Sequence, residues 1–196
     1  MNYLKTWGKV KDLSLKQLLM KTSFLVALVC YKRPSDLINM DVKTDYWQLS
    51  RDGLVCQPLG YGKTECHNPT PPIKVDPFRD NPELCPVQHL LQLEGKLRHL
   101  RSDTVTRFWL SAKAPHKPIT VQTMSRWLKE VIKGAGSMTG MARDVRSVGA
   151  TLAVQTNFDM KHILEAGNWQ RLSTLQRHYF KPQPLNSLSS ILRIAQ

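Results

Sequence analysis

The chain has 196 residues, of which 41% are hydrophobic and 22% are charged, and these proportions exclude a disordered tail and favour one globular domain. Its 28 lysines and arginines outnumber 15 aspartates and glutamates, so the formal net charge of +13 at pH 7 favours a polyanionic partner over a charge that serves solubility alone. The four cysteines include no C-x-x-C pair and no apolar run could span a bilayer, so we expect a soluble intracellular protein with reduced thiols and no metal site.

The first half of the chain predicts two helices and a small sheet. Apolar residues at helical spacing predict a helix over 13–31, with Ser14 or Asp12 as its cap. The proline that ends this helix opens a short helix over 35–40. Short runs separated by glycine and proline follow over 46–75, a pattern typical of a small antiparallel sheet.

The second half predicts mainly helices. A proline opens a leucine-rich helix over 86–100, and residues 108–110 are expected to form a short buried strand. Thr120 caps a helix over 121–132, and two or three further helices are expected over 142–179. The predicted fold class is therefore mainly α with a small antiparallel β-sheet, that is, α+β.

The predicted domain organisation is one domain with a short tail. Residues 1–182 are expected to form the single domain, and residues 183–196 form a carboxy-terminal tail rich in leucine and isoleucine. That apolar face either completes this core or docks on a neighbouring subunit.

Five charged residues at predicted corners and helix faces are candidates for function. Arg33 lies where two helices meet, with Asp36 three residues further on, and Lys63 lies in a glycine-rich hairpin over 60–64. Arg143 and Arg146 are three apart, so on a helix they would present one doubly cationic face. Taken alone, Arg33 with Asp36 is more typical of a surface salt bridge, and Arg143 with Arg146 is more typical of a solvated helix face.

Two aromatic residues complete the candidate set. Trp169 and Tyr179 bracket a short polar helix near the end of the predicted domain. Taken alone, Trp169 is a core residue and Tyr179 is part of an aromatic pair beneath a helix end. It is the order of all these residues along the chain that is informative.

That order resembles the catalytic set of the tyrosine recombinases. An arginine with an aspartate, a hairpin lysine, a basic residue three positions before a second arginine, a tryptophan and a tyrosine follow one another in this family and in this chain. The surrounding sequence is most similar to the recombinases of DIRS-type and Crypton-type eukaryotic mobile elements. The similarity is carried by segments 13–16, 33–37, 84–87, 116–119, 125–129, 146–151 and 166–169.

The resemblance implies a DNA breaking and rejoining chemistry centred on Tyr179. This residue would attack phosphorus to form a 3′-phosphotyrosyl intermediate, while Arg33 and Arg146 hold the two non-bridging oxygens. Lys63 would protonate the departing 5′ oxygen, with Lys74 as the rival for that role. Neither a metal ion nor ATP is required, so no cofactor is expected.

The resemblance also implies supporting roles around this centre. Trp169 would donate its indole N–H to the phosphate, Arg143 would add positive charge, and Asp36 would orient Arg33. Further cations are expected to bind DNA, and these are Lys32, Lys74, Lys117, Arg126 and Lys129.

One position departs from the family pattern. Arg143 stands where the family usually has a histidine, and an arginine stays protonated and cannot shuttle protons near neutral pH. Type IB topoisomerases, which share the chemistry, tolerate a permanent cation at that place. The alternative hypothesis is a catalytically inactive DNA-binding module derived from a tyrosine recombinase.

The resemblance further implies the partners and location of the protein. Double-stranded DNA is the expected partner, and no membrane is involved. We expect a homotetramer on DNA that exchanges carboxy-terminal tails, with a monomer in the absence of DNA, and a nuclear location. The separate amino-terminal domain with which family members clamp DNA is expected to be absent from this chain.

Overall fold

The computed structural model describes residues 1–43, 45, 47–60 and 71–180, and within them the protein is mainly helical. The helices are α1 (Asn2–Lys5), α2 (Leu15–Val29), α3 (Pro34–Leu37), α4 (Pro86–Arg98), α5 (Val121–Gly134), α6 (Asp144–Gln155), α7 (Met160–Gly167) and α8 (Leu172–His178). The strands are β1 (Gln48–Ser50), β2 (Gly53–Cys56) and β3 (Ile73–Val75). None of the described helices is long and apolar enough to cross a membrane. The predicted α+β class is confirmed.

Helix α2 lies at the centre of the core. Its first turn is held by a capping box, in which the Ser14 hydroxyl accepts from the Gln17 N–H at 3.3 Å and the Gln17 side chain accepts from the Ser14 N–H at 3.1 Å. Buried residues occupy most of its circumference, so α2 packs against α4, α5 and α6. The predicted helix and its Ser14 cap are therefore confirmed, and Asp12 lies outside the cap.

The three strands form one antiparallel sheet in the order β1-β2-β3. Leu54 pairs with Val75 and Cys56 pairs with Ile73, and these four side chains are buried against the helical core. The Cys30 thiol, at the end of α2, donates to the Lys74 carbonyl at 3.2 Å. The predicted sheet is confirmed, whereas its hairpin over 60–64 lies almost wholly outside the described residues.

Two predicted elements differ in the structure. Residues 108–110 are buried but form no strand, since isolated bridges join only Arg107, just before them, to Asp41 and Leu110 to Pro118. The Phe108 N–H donates to the Met40 carbonyl at 2.9 Å, and the Trp109 carbonyl accepts from the Ile119 N–H at 3.1 Å. The same pairing explains why α3 ends at Leu37, since the chain after it turns to meet Phe108.

A second, smaller cluster of buried residues lies beside the main core. It joins the end of α2 to the last three helices through Tyr31, Ala150, Ile163, Trp169 and Leu175. Gly149 permits this arrangement, because a Cβ at that position would overlap the backbone carbonyl of Leu28. Helices α2 and α6 therefore approach closely, and the residues at their ends share one site.

Candidate active site

Tyr179 is the residue at which the candidate site converges. It caps the end of α8, where its N–H donates to the Leu175 carbonyl at 2.9 Å. Its own carbonyl accepts from the Thr151 hydroxyl on α6 at 3.3 Å, and its ring lies 4.9 Å from the Trp169 ring. Contacts to three elements therefore fix the position of the phenol.

Arg33 holds the hydroxyl of this tyrosine. Helix α2 ends at Val29, the left-handed Tyr31 follows with φ of 53°, and the Lys32 N–H donates back to the Ala27 carbonyl at 3.1 Å. The extended Arg33 follows and precedes α3. From there its Nη2 donates to the Tyr179 hydroxyl at 2.7 Å.

Arg146 lies directly beneath the phenol. Its guanidinium carbon lies 4.7 Å from the centre of the Tyr179 ring and 4.5 Å from that of Trp169. Nη2 donates to the Gly167 carbonyl at 2.6 Å, and Nη1 lies 3.6 Å from the Asp36 carboxylate. Its side chain is only 5% exposed, so the predicted doubly cationic face with Arg143 is wrong, and Arg143 alone is exposed at the start of α6.

The two arginines change the ionisation of the tyrosine. Burial by itself raises the pKa of Tyr179, but the hydrogen bond from Arg33 and the charges of both arginines outweigh it, so the pKa is lowered overall. Burial, followed by the charge of Arg33, lowers the pKa of Arg146 to about 10. Arg146 therefore remains a cation at neutral pH, and the phenol ionises more easily than in water.

Asp36 connects the two arginines in a way that sequence reasoning missed. Its carboxylate accepts the backbone N–H of Arg33 at 2.8 Å and pairs with the side chain of Arg146. Its contact with Arg33 is made through the backbone, while the Arg33 guanidinium reaches to Tyr179. Asp36 thus holds the backbone of one arginine and the side chain of the other.

Trp169 is placed by the turn after α7. Asn168 adopts the left-handed conformation, with φ of 53°, and the Trp169 N–H donates to the Leu164 carbonyl at 2.8 Å. The indole then stacks between Arg146 and Tyr31. Within the described residues, the indole Nε1 and the Nε of Arg146 are buried N–H groups without a hydrogen-bond acceptor.

A groove of about 820 Å³ opens above these residues. Arg33, Arg146 and Tyr179 line its floor, together with Ser147 of α6. Its rim carries the cations Arg126, Lys129 and Arg143 and the imidazole of His178. The sequence did not single out His178 as a candidate, although its position directly before Tyr179 could have indicated it.

Three predicted cations, Lys32, Lys74 and Lys117, are not among the residues that line this groove. Lys117 and Lys74 are exposed, the latter in the middle of β3, whereas Lys63 lies outside the described residues. Lys32 is only 3% exposed, and burial lowers its pKa. The expectation that Lys32 binds DNA as a surface cation is therefore wrong, because the turn after α2 directs it into the protein.

Solved structures share this architecture. A XerH site-specific recombinase bound to difH substrate in a pre-cleavage complex matches 100% of this chain with a TM-score of 0.63 at 15% identity. A XerA recombinase matches 93% of the chain with a TM-score of 0.61 at 14% identity. The chain has the tyrosine recombinase catalytic-domain fold. A lambda integrase dimer bound to a COC′ core site matches 91% of it with a TM-score of 0.54 at 13% identity.

The chain corresponds to only part of these proteins. It spans 51% of the XerH chain, 63% of the XerA chain and 62% of the lambda integrase chain. No protein-family model matches the sequence, and no curated protein matches it. At these identities the similarity shows the fold, and the chemistry must be argued from the groove itself.

Proposed function

We propose that this protein is a site-specific DNA recombinase that cleaves and rejoins DNA strands through a 3′-phosphotyrosyl intermediate on Tyr179. The observation that carries the proposal is the hydrogen bond from Arg33 to the Tyr179 hydroxyl at the floor of a cationic groove. A second cation, Arg146, lies beneath the same ring. A phenol held between two arginines suits attack on a phosphodiester, whose negative charge the arginines would neutralise.

The strand-cleavage step follows from these positions. The Tyr179 oxygen loses its proton and forms a bond to phosphorus, while the bond from phosphorus to the 5′ oxygen breaks. Arg33 and Arg146 hold the non-bridging oxygens, and the orphaned N–H groups of Arg146 and Trp169 offer donors that a phosphate oxygen can accept. One phosphodiester is exchanged for another, so the step conserves bond energy and requires neither ATP nor a metal ion.

The departing 5′ oxygen requires a proton. Lys63 is our proposal for this acid, because its glycine-rich segment suits a hairpin tip, and Lys74 on β3 is the rival. Arg143, at the start of α6, adds positive charge to the rim of the groove. It holds its proton permanently, so its role is electrostatic.

Double-stranded DNA is the proposed partner. The net charge of +13 and the rim cations Arg126, Lys129 and Arg143 suit a phosphate backbone. XerH and lambda integrase were crystallised bound to DNA sites, which supports the same partner class here. We extend the proposal to a homotetramer on DNA joined by residues 183–196, and to a monomer without DNA.

The proposed type of mobile element rests on the sequence resemblance. We propose that the chain derives from a DIRS-type or Crypton-type mobile element and acts in the nucleus on integration or transposition. The segments around Arg33, Arg146 and Trp169 support this assignment.

A nicked duplex tests the proposed function. A pool with randomised sequence around a single nick is suitable, because the short fragment released by cleavage diffuses away and leaves the protein trapped on DNA. We expect a covalent adduct that survives denaturation with the wild type and with the Tyr3→Phe control, and none with Tyr179→Phe. Tyr3 lies on α1, away from the groove.

An inactive DNA-binding module is the second candidate, and the permanent cation Arg143 favours it. It predicts that the protein binds the same duplexes and forms no adduct under any condition. Under the recombinase proposal, Arg33→Ala abolishes adduct formation with a modest loss of affinity. If the protein is an inactive DNA-binding module, Arg33→Ala has a small effect on DNA affinity, and neither the wild type nor the variant forms an adduct.

A further inference from the structure

We propose that His178 accepts the proton of the Tyr179 hydroxyl as that oxygen attacks phosphorus. The inference rests on the strand-cleaving function proposed above and assigns the base for its first step. His178 is the last residue of α8, directly before Tyr179, and both side chains line the same groove. The imidazole is exposed on the groove, and a neutral imidazole has one nitrogen that can accept a proton.

The hydrogen bond from Arg33 leaves the phenol proton without a recipient on that side. A guanidinium has only donors, so the Tyr179 oxygen accepts the 2.7 Å bond from Arg33, and its own O–H must point to another group. The guanidinium of Arg146 lies beneath the ring and likewise only donates. Neither arginine can therefore remove the proton.

The other groups of the groove are poor recipients. The charged residues that line the groove with His178 are Arg33, Arg126, Lys129, Arg143, Arg146 and Asp144, and Arg177 lies on the same helix as His178. Arginine and lysine side chains offer hydrogen-bond donors and no acceptor. The Asp144 carboxylate is already engaged, because it accepts the Met141 N–H at 2.8 Å.

Asp36 is also occupied. One of its oxygens accepts the Arg33 N–H and lies against Arg146, and the other accepts from the Ser35 hydroxyl at 3.5 Å. The hydroxyl groups of the groove are far weaker bases than histidine. Among the described residues that line the groove, His178 is thus the one whose side chain commonly exchanges a proton near neutral pH.

The proton balance of the step is simple. As the Tyr179 oxygen bonds to phosphorus, its O–H electrons remain on oxygen and the proton moves to an imidazole nitrogen of His178. The bond from phosphorus to the 5′ oxygen breaks, and that oxygen takes a proton from the separate acid. On rejoining, the 5′ hydroxyl returns its proton to the separate acid and its oxygen bonds to phosphorus, while the phosphotyrosyl bond breaks and the His178 imidazolium returns its proton to the Tyr179 oxygen.

The kinetic test compares two exposed histidines. His178→Gln is measured against His162→Gln, because His162 lies on α7 and pairs with Asp159 away from the groove. We expect His178→Gln to slow adduct formation on the nicked duplex by about 100-fold with unchanged DNA affinity, and His162→Gln to match the wild type. The pH dependence that a catalytic base gives to the wild-type rate should be lost in His178→Gln.

A rescue experiment separates a chemical role from a structural one. Added imidazole should restore adduct formation to His178→Ala and leave Tyr179→Phe inactive. Equal rates and equal pH profiles for His178→Gln and the wild type would overturn the role of His178 alone. No adduct from the wild type would instead overturn the strand-cleaving function, and the role of His178 with it.

A measurement without chemistry tests the contact itself. In the complex with an intact duplex, the imidazole ¹⁵N shifts of His178 should change in Tyr179→Phe, while those of His162 should not. Unchanged His178 shifts would contradict the proposed proton transfer even if the wild type forms an adduct.

Discussion

The guanidinium of Arg33 and the hydroxyl of Tyr179 meet at 2.7 Å although the two residues lie 146 positions apart. The contact depends on the left-handed turn after α2 and on the end of α8, which bring the two side chains together. Arg33 is thus already bonded to the oxygen that would become the nucleophile. The phenol is prepared for ionisation before any substrate arrives.

Removing Arg33 should therefore make Tyr179 a weaker acid. In Arg33→Ala the hydrogen bond and one positive charge are lost while the burial remains, so the pKa of Tyr179 should rise. The difference between the ultraviolet titrations of each protein and of its Tyr179→Phe derivative reports this pKa. Arg98→Ala, which removes an exposed arginine at the end of α4, is the control and should leave the titration unchanged.

The close packing of α2 against α6 leads to a second prediction. A Cβ at Gly149 would overlap the Leu28 carbonyl, so Gly149→Ala should push the helices apart and lower the free energy of unfolding by about 1–3 kcal/mol. Gly95 in α4 has open space around it, so Gly95→Ala should be neutral or should stabilise by up to about 1 kcal/mol. Urea unfolding of both variants measures this difference, and a similar loss in both would contradict the packing.

The buried His89 predicts a loss of stability in acid. Burial is the main cause that lowers its pKa to about 4 from an ordinary 6.5, and the nearby charge of Lys21 lowers it further. Between those values the unfolded chain binds a proton that the folded protein does not. Folding stability is therefore full above about pH 6.5 and falls by about 3 kcal/mol as the pH drops towards 4.

Urea unfolding at neutral and acidic pH checks this dependence. His89→Leu should lose much of the pH sensitivity, because the titrating group is gone. His99→Gln should retain the wild-type dependence, since His99 is exposed just after α4. Equal pH dependence in His89→Leu and the wild type would assign the acid sensitivity to other groups.

The rim of the groove predicts a salt dependence of DNA binding. Arg126 and Lys129 are exposed on α5 and line the groove, so each would displace counterions from a phosphate. Arg126→Ala and Lys129→Ala should each reduce the slope of log affinity against log salt by about 1. Lys161→Ala on α7 serves as the control, because Lys161 is exposed away from the groove, and its slope should equal that of the wild type.

Local sequence signals predicted most of the helices. The spacing of apolar residues and the caps Ser14 and Thr120 located the starts of α2 and α5, since both hydroxyls accept N–H groups three residues on. The strand expected over 108–110 is wrong, because only isolated bridges form here, at Arg107 and Leu110, with two separate loops. Strand propensity alone does not specify a pairing partner.

The candidate site could be predicted only in part, because a sequence pattern does not specify tertiary contacts. The order of residues indicated that Arg33, Arg146 and Tyr179 act together, and the structure brings them together. The pairing of Asp36 with Arg146 could not be predicted, because it joins two residues 110 positions apart and does not follow from sequence spacing. The burial of Lys32 likewise follows from a left-handed turn that no local signal specified.

Mapping the residue that becomes linked to DNA is the most direct test of the proposed chemistry. The adduct trapped on the nicked duplex would be digested with nuclease and protease, and the nucleotide-bearing peptide sequenced by mass spectrometry. We expect a phosphodiester on the Tyr179 oxygen, attached to the 3′ side of the cleaved strand. A linkage to any other residue, or a 5′ linkage to Tyr179, would contradict it.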